Sequence, residues 1–185
     1  MKSKRTYFPG LNALRFFAAT LVIFHHLEQY KFWSGKESFW GETFISALGH
    51  TPVGFFFVLS GFLITYLLLE EIKMTEKVDV RTFYIKRILR IWPLYFLVVI
   101  IALLIIPHLT HISFQGMPQV NSPMIIISIV LMLPNLLRIS FPTLIGANQL
   151  WSVGIEEQFY LVWPILIKKF RNNIYKFLLL FIVIK

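Results

Sequence analysis

Residues Val53 to Leu69 read VGFFFVLSGFLITYLLL, a stretch in which Ser60, Gly61 and Thr65 are the main departures from apolar side chains. About 20 apolar residues in a helix span the roughly 30 Å hydrocarbon core of a bilayer. The whole chain shares this character, because 57% of its 185 residues are hydrophobic and only 15% are charged. A soluble domain carries about 25% charged residues, so the composition predicts a membrane protein.

Similar apolar blocks lie on both sides of this stretch. With it, the predicted spans are Leu11–Leu27, Val53–Leu69, Ile91–Ile106 and Leu150–Lys168, and a last block begins at Tyr175. A shorter piece, Met124–Leu137, is interrupted by Pro134 and is too short, at about 21 Å of helix, to cross. The sequence therefore predicts an all-α transmembrane bundle of about four full spans, one re-entrant segment and the start of a further span, in one incomplete domain over residues 1–185.

The lysines and arginines lie mostly between these blocks, at the N-terminus, from Lys73 to Arg90, and from Lys168 to Lys176. The positive-inside rule places all three groups in the cytoplasm. An even number of crossings must then separate the second group from the third, which is why Met124–Leu137 is interpreted as re-entrant. The formal charge of +9 thus reflects topology rather than nucleic-acid binding, and the N-terminus is predicted to be cytoplasmic.

Two ionisable residues lie inside the first predicted helix. Arg15 and His26 are eleven residues apart, so on a helix they share one face at a separation of about 16 Å. Ionisable residues within a span are costly and by default face a functional cavity. The alternative is that Arg15 extends its charge to the cytoplasmic interface while the histidines mark the outer end of the helix. The spacing leaves both readings open.

A second basic group consists of Lys86, Arg87 and Arg90, directly before Trp92-Pro93-x-Tyr95. Basic residues three apart on a helix can bind phosphates, since a guanidinium pairs with phosphate bidentately. Ordinary positive-inside flanking explains the same residues and is favoured when they are considered alone.

The segment Trp151–Tyr160, WSVGIEEQFY, places two carboxylates at the mouth of an apolar block. On a helix Ser152, Glu156 and Tyr160 form one polar stripe, whereas Glu157 points elsewhere. A carboxylate there can orient a histidine or bind a hydroxyl in a water-accessible cavity. Interfacial anchoring by the aromatic residues is the alternative, and it leaves Glu156 unexplained.

No metal site is predicted. The chain has no cysteine, which excludes Cys-ligated metals and a disulfide framework. His108 and His111 form a His-x2-His pair after Pro107 without a third ligand nearby, a pattern more typical of a polar loop than of a metal centre.

Four segments together resemble the bacterial acyltransferase 3 family, whose members are membrane enzymes that O-acylate cell-surface glycans. The segments are LNALRFFAATLVIFHH (Leu11–His26), GFFFVLSGFLIT (Gly54–Thr65), YIKRILRIWPLY (Tyr84–Tyr95) and LWSVGIEEQFYLVWP (Leu150–Pro164). The resemblance covers essentially the whole chain. Two positions depart from the family pattern: Lys86 stands where arginine is common, and Gly154 where serine is frequent.

The resemblance implies roles for individual residues. The family's Arg-x10-His motif falls on Arg15 and His26, so His26 rather than His25 is the expected catalytic histidine, either as general base or as acyl carrier. Glu156 is expected to support the histidine or the acceptor. The expected donor-binding residues are Arg15, Arg87, Arg90 and Lys86, and the expected supporting residues are Ser60, Trp151, Ser152, Glu157 and Tyr160.

The implied activity is transfer of an acyl group, with acetyl expected, from acyl-CoA to a hydroxyl of a cell-envelope polysaccharide or glycolipid. Acyl-CoA is a co-substrate, and no bound cofactor is implied. The expected location is the bacterial inner membrane, and the expected partners are acyl-CoA, the acceptor and the bilayer. Because family members resemble bundles of about ten helices, the chain is expected to be a fragment, a truncated product or half of a split enzyme, with a C-terminal half as a further partner.

A non-catalytic membrane protein is the alternative class. In half of a transporter or flippase, Arg15, His26 and Glu156 would line a polar path through the bilayer.

Overall fold

The computed structural model describes residues 8–109, 123–137 and 146–183, and every regular element in these ranges is helical. The α-helices are α1 (Pro9–Trp33), α2 (Thr43–Thr75), α3 (Val80–Ile100), α4 (Ile106–Leu109), α5 (Pro123–Val130), α6 (Pro134–Leu137), α7 (Leu150–Lys169) and α8 (Ile174–Val183). A π-helical turn, Ile101–Ile105, joins α3 to α4, and a 3-10 turn, Arg171–Asn173, precedes α8. The predicted all-α class is confirmed over these residues.

Three helices among the described residues are long and apolar enough to cross a membrane. They are Gly10–Trp33, Thr43–Thr75 and Val80–Ile105, which contain the first three predicted blocks almost entirely. Helix α7 has 20 residues, enough for about 30 Å, but it carries two glutamates and two lysines and is not among these three. The predicted number of spans therefore stays a prediction.

The helices extend further than the apolar blocks. Helix α2 begins at Thr43 rather than Val53 and continues through Pro52, and α3 begins at Val80, well inside the charged stretch. Asp79 caps α3, because its carboxylate accepts hydrogen bonds from the Thr82 hydroxyl at 2.6 Å and the Thr82 N–H at 3.0 Å. These bonds, the hydroxyl first, lower the pKa of Asp79. The capped helix places Lys86, Arg87 and Arg90 on α3.

The described residues form two compact units, which divide within α2 between Ser60 and Gly61. In the first unit, α1 packs against the connection that follows it and against the start of α2, where Ile45 is buried. The second unit contains the rest of α2 and the helices from α3 onward, apart from residues that the structure does not describe.

Two apolar clusters hold the second unit together. One joins α3 to α5 and to the residues before α7; its buried members are Tyr95, Val99, Ala102, Ile125, Ile129, Met132, Ala147 and Leu150. The other joins the end of α2 to α7 and α8; its buried members are Ile64, Leu68, Val78, Tyr160, Trp163, Ile167 and Ile174. Burying a large aliphatic or aromatic side chain contributes about 1.5–3 kcal/mol, so these clusters fix the positions of α3 and α7.

Helices α3 and α7 run antiparallel. Near the start of α3 the Tyr84 hydroxyl donates to the Leu161 carbonyl, and further along the Trp92 indole N–H donates to Glu157 at 3.4 Å. Residue numbers therefore rise along α3 as they fall along α7. This arrangement brings the basic residues of α3 to the carboxylates of α7.

The segment predicted to be re-entrant is not one continuous helix. Helix α5 has eight residues and α6 has four, and between them Met132 adopts a left-handed conformation with φ of 59°. Eight residues of helix extend only about 12 Å, so neither piece can cross a bilayer by itself. That the segment enters and leaves the membrane on the same side stays a prediction.

Two basic segments lie together at one end of the second unit. At one end the Arg171 guanidinium donates to the Glu76 carbonyl at 2.6 Å, so the basic α2–α3 connection and the basic residues after α7 lie together. At the other end Ala147 is buried in the cluster that contains Ala102, near the end of α3. The positive-inside rule predicts that the first of these ends faces the cytoplasm.

Single cysteines introduced into this cysteine-free chain test that orientation. Lys77→Cys and Asn172→Cys, both at exposed positions, should react only with reagents that reach the cytoplasmic side. Gln149→Cys, also exposed and close to the buried Ala147, should react from outside. The positive-inside rule also places His111 on the outer side; His111 lies outside the described residues. Labelling of Gln149→Cys from the cytoplasmic side would overturn the even number of crossings.

Candidate functional site

Arg15 and His26 both lie on α1, as the sequence predicts, and both side chains are partly buried. Helix α1 continues without interruption from Pro9 to Trp33, so the two residues are separated by about 16 Å along one helix. They belong to the first unit, whereas Arg87 and Glu156 belong to the second.

The contacts of the His25 side chain indicate a structural role. Its ring is buried, Nδ1 lies 2.7 Å from the Ile45 carbonyl oxygen, and its centroid is 5.0 Å from that of Trp40. It also contacts Gly49 so closely that a Cβ at that position would overlap the imidazole. His25 therefore fastens α1 to the start of α2.

His26 has a different partner. Its Nδ1 lies 3.1 Å from Oε1 of Gln29, one helical turn later, and Gln29 is buried. The neighbouring Glu28 is also buried, and its carboxylate accepts from Lys31 and from the backbone N–H of Phe39, each at 2.8 Å. The C-terminal part of α1 thus holds several hydrogen-bonded polar side chains around the predicted catalytic histidine.

In the second unit the structure brings three predicted site residues together. The Arg87 guanidinium lies over the Tyr160 ring at 4.9 Å from its centroid, and the Tyr160 hydroxyl donates to Glu156 at 2.6 Å. The ring of Phe83 lies 5.5 Å from the same guanidinium. Arg87, Tyr160 and Glu156 therefore form one connected group, which we call the arginine–carboxylate cluster.

Glu157 adds a second carboxylate to this region. One of its oxygens accepts from the Trp92 indole, and the other is buried and, among the described residues, meets no hydrogen-bond donor. Both Glu156 and Glu157 interact electrostatically with Arg87. A buried acceptor oxygen beside a cation can receive a hydrogen bond from a substrate hydroxyl.

The remaining predicted site residues lie around this cluster or apart from it. Lys86 and Arg90 are exposed on α3, and Trp151 is partly buried at the start of α7. The Ser152 hydroxyl donates to the Gln149 carbonyl at 3.0 Å, so it belongs to the first turn of α7 and not to the Glu156–Tyr160 pair. Ser60 is partly buried in α2, at the end of the first unit.

The glycine that departs from the family pattern has a packing role. A Cβ at Gly154 would lie 2.9 Å from Oδ1 of Asn135 and 3.1 Å from the Met132 carbonyl oxygen, so α6 approaches α7 at this position. The two helices are also joined by a pair of amide hydrogen bonds between Asn135 and Gln158, at 2.9 and 3.3 Å. A serine at position 154 would require Asn135, Pro134 and the Met132 carbonyl to shift.

Three contributors to these sites are absent from the sequence-based prediction. Gln29 follows His26 at helical spacing i+3, a signal that was available from the sequence. Trp92 carries an indole N–H that needs an acceptor in an apolar helix, which was a weaker signal. The Asn135–Gln158 pair joins segments 23 residues apart, and no local pattern indicates it.

The comparison with known families agrees with these motifs. Residues 8–184 match the sequence profile of the family described as an acyltransferase domain. The match covers nearly the whole chain, and the chain belongs to the acyltransferase 3 family.

Several curated proteins are similar to the chain. It is 31% identical to O-acetyltransferase OatA of Staphylococcus aureus (strain NCTC 8325 / PS 47), over 87% of the chain and 25% of that protein. It is 30% identical to peptidoglycan O-acetyltransferase OatA of Listeria monocytogenes, over 86% of the chain and 24% of that protein. The putative peptidoglycan O-acetyltransferase YrhL of Bacillus subtilis is 33% identical, over 85% of the chain and 23% of that protein. The chain thus spans about a quarter of the length of these relatives, and no solved structure matches it significantly.

The two adjacent histidines should differ in their effect on stability. His25→Ala leaves the buried Ile45 carbonyl without its side-chain donor, which we expect to lower the free energy of unfolding by about 1–3 kcal/mol. His26→Ala is the matched control and should have a smaller effect, because the His26 side chain is only partly buried whereas the His25 ring is buried. Thermal unfolding in detergent, followed by tryptophan fluorescence, measures both. Equal destabilisation would contradict the structural role of His25.

Gly154→Ser should destabilise the second unit even though serine is frequent there in the family. The added side chain forces α6 away from α7, and overpacking of this kind costs about 1–3 kcal/mol. Gly61→Ala on α2 is the control, because its Cβ would meet only Phe159, at an ordinary 4.0 Å. If Gly154→Ser is as stable as the control in the same unfolding experiment, the packing of α6 on α7 is wrong.

Proposed function

We propose that the chain is the N-terminal part of an integral-membrane O-acetyltransferase that transfers acetyl from acetyl-CoA to a hydroxyl of a cell-wall glycan. Family membership and three helices suited to a bilayer support the class. The similar proteins include peptidoglycan O-acetyltransferases, which supports acetyl as the group transferred and a peptidoglycan sugar as the acceptor.

The single observation that carries the proposal is the arginine–carboxylate cluster. Arg87 lies over an aromatic ring, beside two glutamates and between largely apolar helices. Burying these ionisable groups costs free energy that packing alone does not require, and the same groups can bind a polar substrate. Ionisable groups held against apolar helices in this way are candidates for the site of a polar substrate.

The donor is proposed to bind along α3. Lys86, Arg87 and Arg90 lie close together on α3 and are proposed to bind the CoA phosphates; Lys86 and Arg90 are exposed, and Arg87 also lies over the Tyr160 ring. Guanidinium groups bind phosphate through two parallel hydrogen bonds, which favours arginine over lysine for this task. Arg15, on α1, is proposed to help orient the donor.

In the proposed reaction His26 acts as general base. The imidazole takes the proton of the acceptor hydroxyl while the hydroxyl oxygen attacks the thioester carbonyl carbon. A carbon–oxygen bond forms, the carbon–sulfur bond breaks, and the CoA thiolate leaves and receives the proton from the imidazolium. If His26 instead carries the acetyl group, the same bonds are exchanged in two steps through its ring nitrogen. Glu156 and Glu157 are proposed to bind acceptor hydroxyls.

Donor binding can be tested by titrating acetyl-CoA against variants of the intact protein in membranes. Arg87→Ala and Arg90→Ala should each weaken donor affinity by roughly ten- to a hundredfold, because a lost charge-assisted hydrogen bond is worth about 1.5–3 kcal/mol. Lysine at either position should restore affinity only in part, since it keeps the charge without the bidentate geometry.

Arg81→Ala is the matched control, because Arg81 is exposed on the same helix and has no role in the proposal. If the arginines serve only as topology determinants, lysine should rescue fully and alanine should change insertion rather than affinity. Unchanged donor affinity in a correctly inserted double-alanine variant would remove the donor site from the proposal. Donor binding without any acetyl transfer by the unmodified protein would favour the non-catalytic class.

A further inference from the structure

Two tryptophans lie together at the C-terminal end of α1. Trp33 is the last residue of α1 and Trp40 lies in the connection that follows, and their ring centroids are 6.3 Å apart. Both side chains are partly buried. We call these two residues the indole pair; neither is among the site residues predicted from the sequence.

The chain folds back after α1 so that Trp40 returns to this helix. Gly35 has φ of 68°, a left-handed conformation that glycine adopts without steric cost and that commonly follows the end of a helix. The buried Glu28 carboxylate accepts from the Phe39 backbone N–H at 2.8 Å, directly before Trp40. These contacts hold the backbone beside Trp40 in a defined position on α1.

The indole pair is close to the predicted catalytic histidine. The centroid of the His25 ring lies 5.0 Å from that of Trp40 and 5.2 Å from that of His26. Trp40 and His26 thus contact the same imidazole ring, and the distance between them is no more than about the length of a disaccharide.

Neighbouring aromatic rings suit one class of ligand in particular. The face of an aromatic ring carries partial negative charge, and a pyranose presents weakly positive C–H groups on its face and hydroxyls at its rim. Stacking that face on an indole removes apolar surface from water and leaves the hydroxyls to bond with polar groups. The connection that carries Trp40 also carries the exposed polar side chains Lys36, Glu37 and Glu42, which can bond such hydroxyls.

We propose that the indole pair is a subsite for the acceptor, in which a sugar ring of the glycan stacks on Trp33 and Trp40 and a hydroxyl of that sugar or of the next one lies at His26. The inference rests on the proposed function, because it assumes that the acceptor is a glycan. The positive-inside rule predicts that this end of α1 faces outward, on the side where a cell-wall glycan lies.

Anchoring at the membrane surface is the competing role, because tryptophans are enriched at membrane–water interfaces. Phenylalanines supply mainly exposed rings at this end of α1: Phe32 is 54% exposed and Phe39 is 63% exposed. The indole pair is less exposed, and Trp40 packs on the buried His25. This position favours a ligand site, and Phe32 supplies a control for anchoring.

The test compares Trp33→Leu, Trp40→Leu, Trp40→Phe and Phe32→Leu in the intact protein in membranes, with acetyl-CoA as donor and a peptidoglycan disaccharide fragment as acceptor. Leucine keeps an apolar side chain without an aromatic face, so Trp33→Leu and Trp40→Leu should each raise KM for the acceptor about tenfold. Neither should change kcat or KM for acetyl-CoA by more than about twofold, because the lost contact binds substrate and transition state equally. Trp40→Phe keeps a smaller aromatic face and should raise KM for the acceptor about two- to threefold. Phe32→Leu should leave both KM values unchanged.

Binding is also measured without transfer. The proposed function predicts that His26→Ala loses transfer, and the subsite predicts that this variant still binds the disaccharide fragment in calorimetry. Adding Trp40→Leu to His26→Ala should weaken that binding about tenfold.

The outcomes separate this inference from the proposed function. Unchanged acceptor KM and fragment binding in correctly inserted leucine variants, with transfer by the unmodified protein intact, would overturn the subsite alone. An unmodified protein that neither binds nor acetylates the fragment would overturn the proposed function and the subsite with it. Reduced insertion of Trp33→Leu, Trp40→Leu and Phe32→Leu alike, with an unchanged acceptor KM, would show that the rings anchor the protein instead. If the leucine variants insert too poorly to be measured, Trp40→Phe decides, and an unchanged acceptor KM in that variant overturns the subsite.

Discussion

Polar groups inside an apolar bundle must find partners within the protein, because hydrocarbon offers none. In this chain the partners are often on another helix. The Tyr95 hydroxyl donates to the Ile129 carbonyl, and the Trp163 indole donates to Thr65. His25 meets the requirement in the same way through the Ile45 carbonyl. Each of these hydrogen bonds joins two segments in a defined relative position, so the few polar side chains help to determine how the helices pack.

Much of the fold follows from local properties of the sequence. Apolar length predicts the three helices suited to a bilayer, and helical spacing predicts that Glu156 and Tyr160 meet at i, i+4. The stacking of Arg87 on Tyr160 could not be predicted in this way, because it depends on how α3 packs against α7, more than 70 residues later in the chain. The close approach at Gly154 has the same origin.

The adjacent histidines illustrate the difference between sequence proximity and structural role. Consecutive residues on a helix point about 100° apart, so His25 faces the start of α2 while His26 meets Gln29. The Arg-x10-His spacing predicts that His26 is the catalytic histidine. The structure gives His25 a separate role, because its ring joins α1 to the start of α2. A substitution that lowers activity at either position is therefore uninformative until the amount of folded protein is known.

In the arginine–carboxylate cluster, the Arg87 side chain both supplies a positive charge beside the glutamates and stacks on an aromatic ring. Two glutamates near a largely apolar interface would be strongly destabilising without a cation, and Arg87 provides one through a guanidinium that stays charged and also stacks on an aromatic ring. Lysine keeps the charge but loses the stacking and the planar donor geometry. Arginine at position 87 is therefore expected to contribute to stability as well as to the proposed donor site.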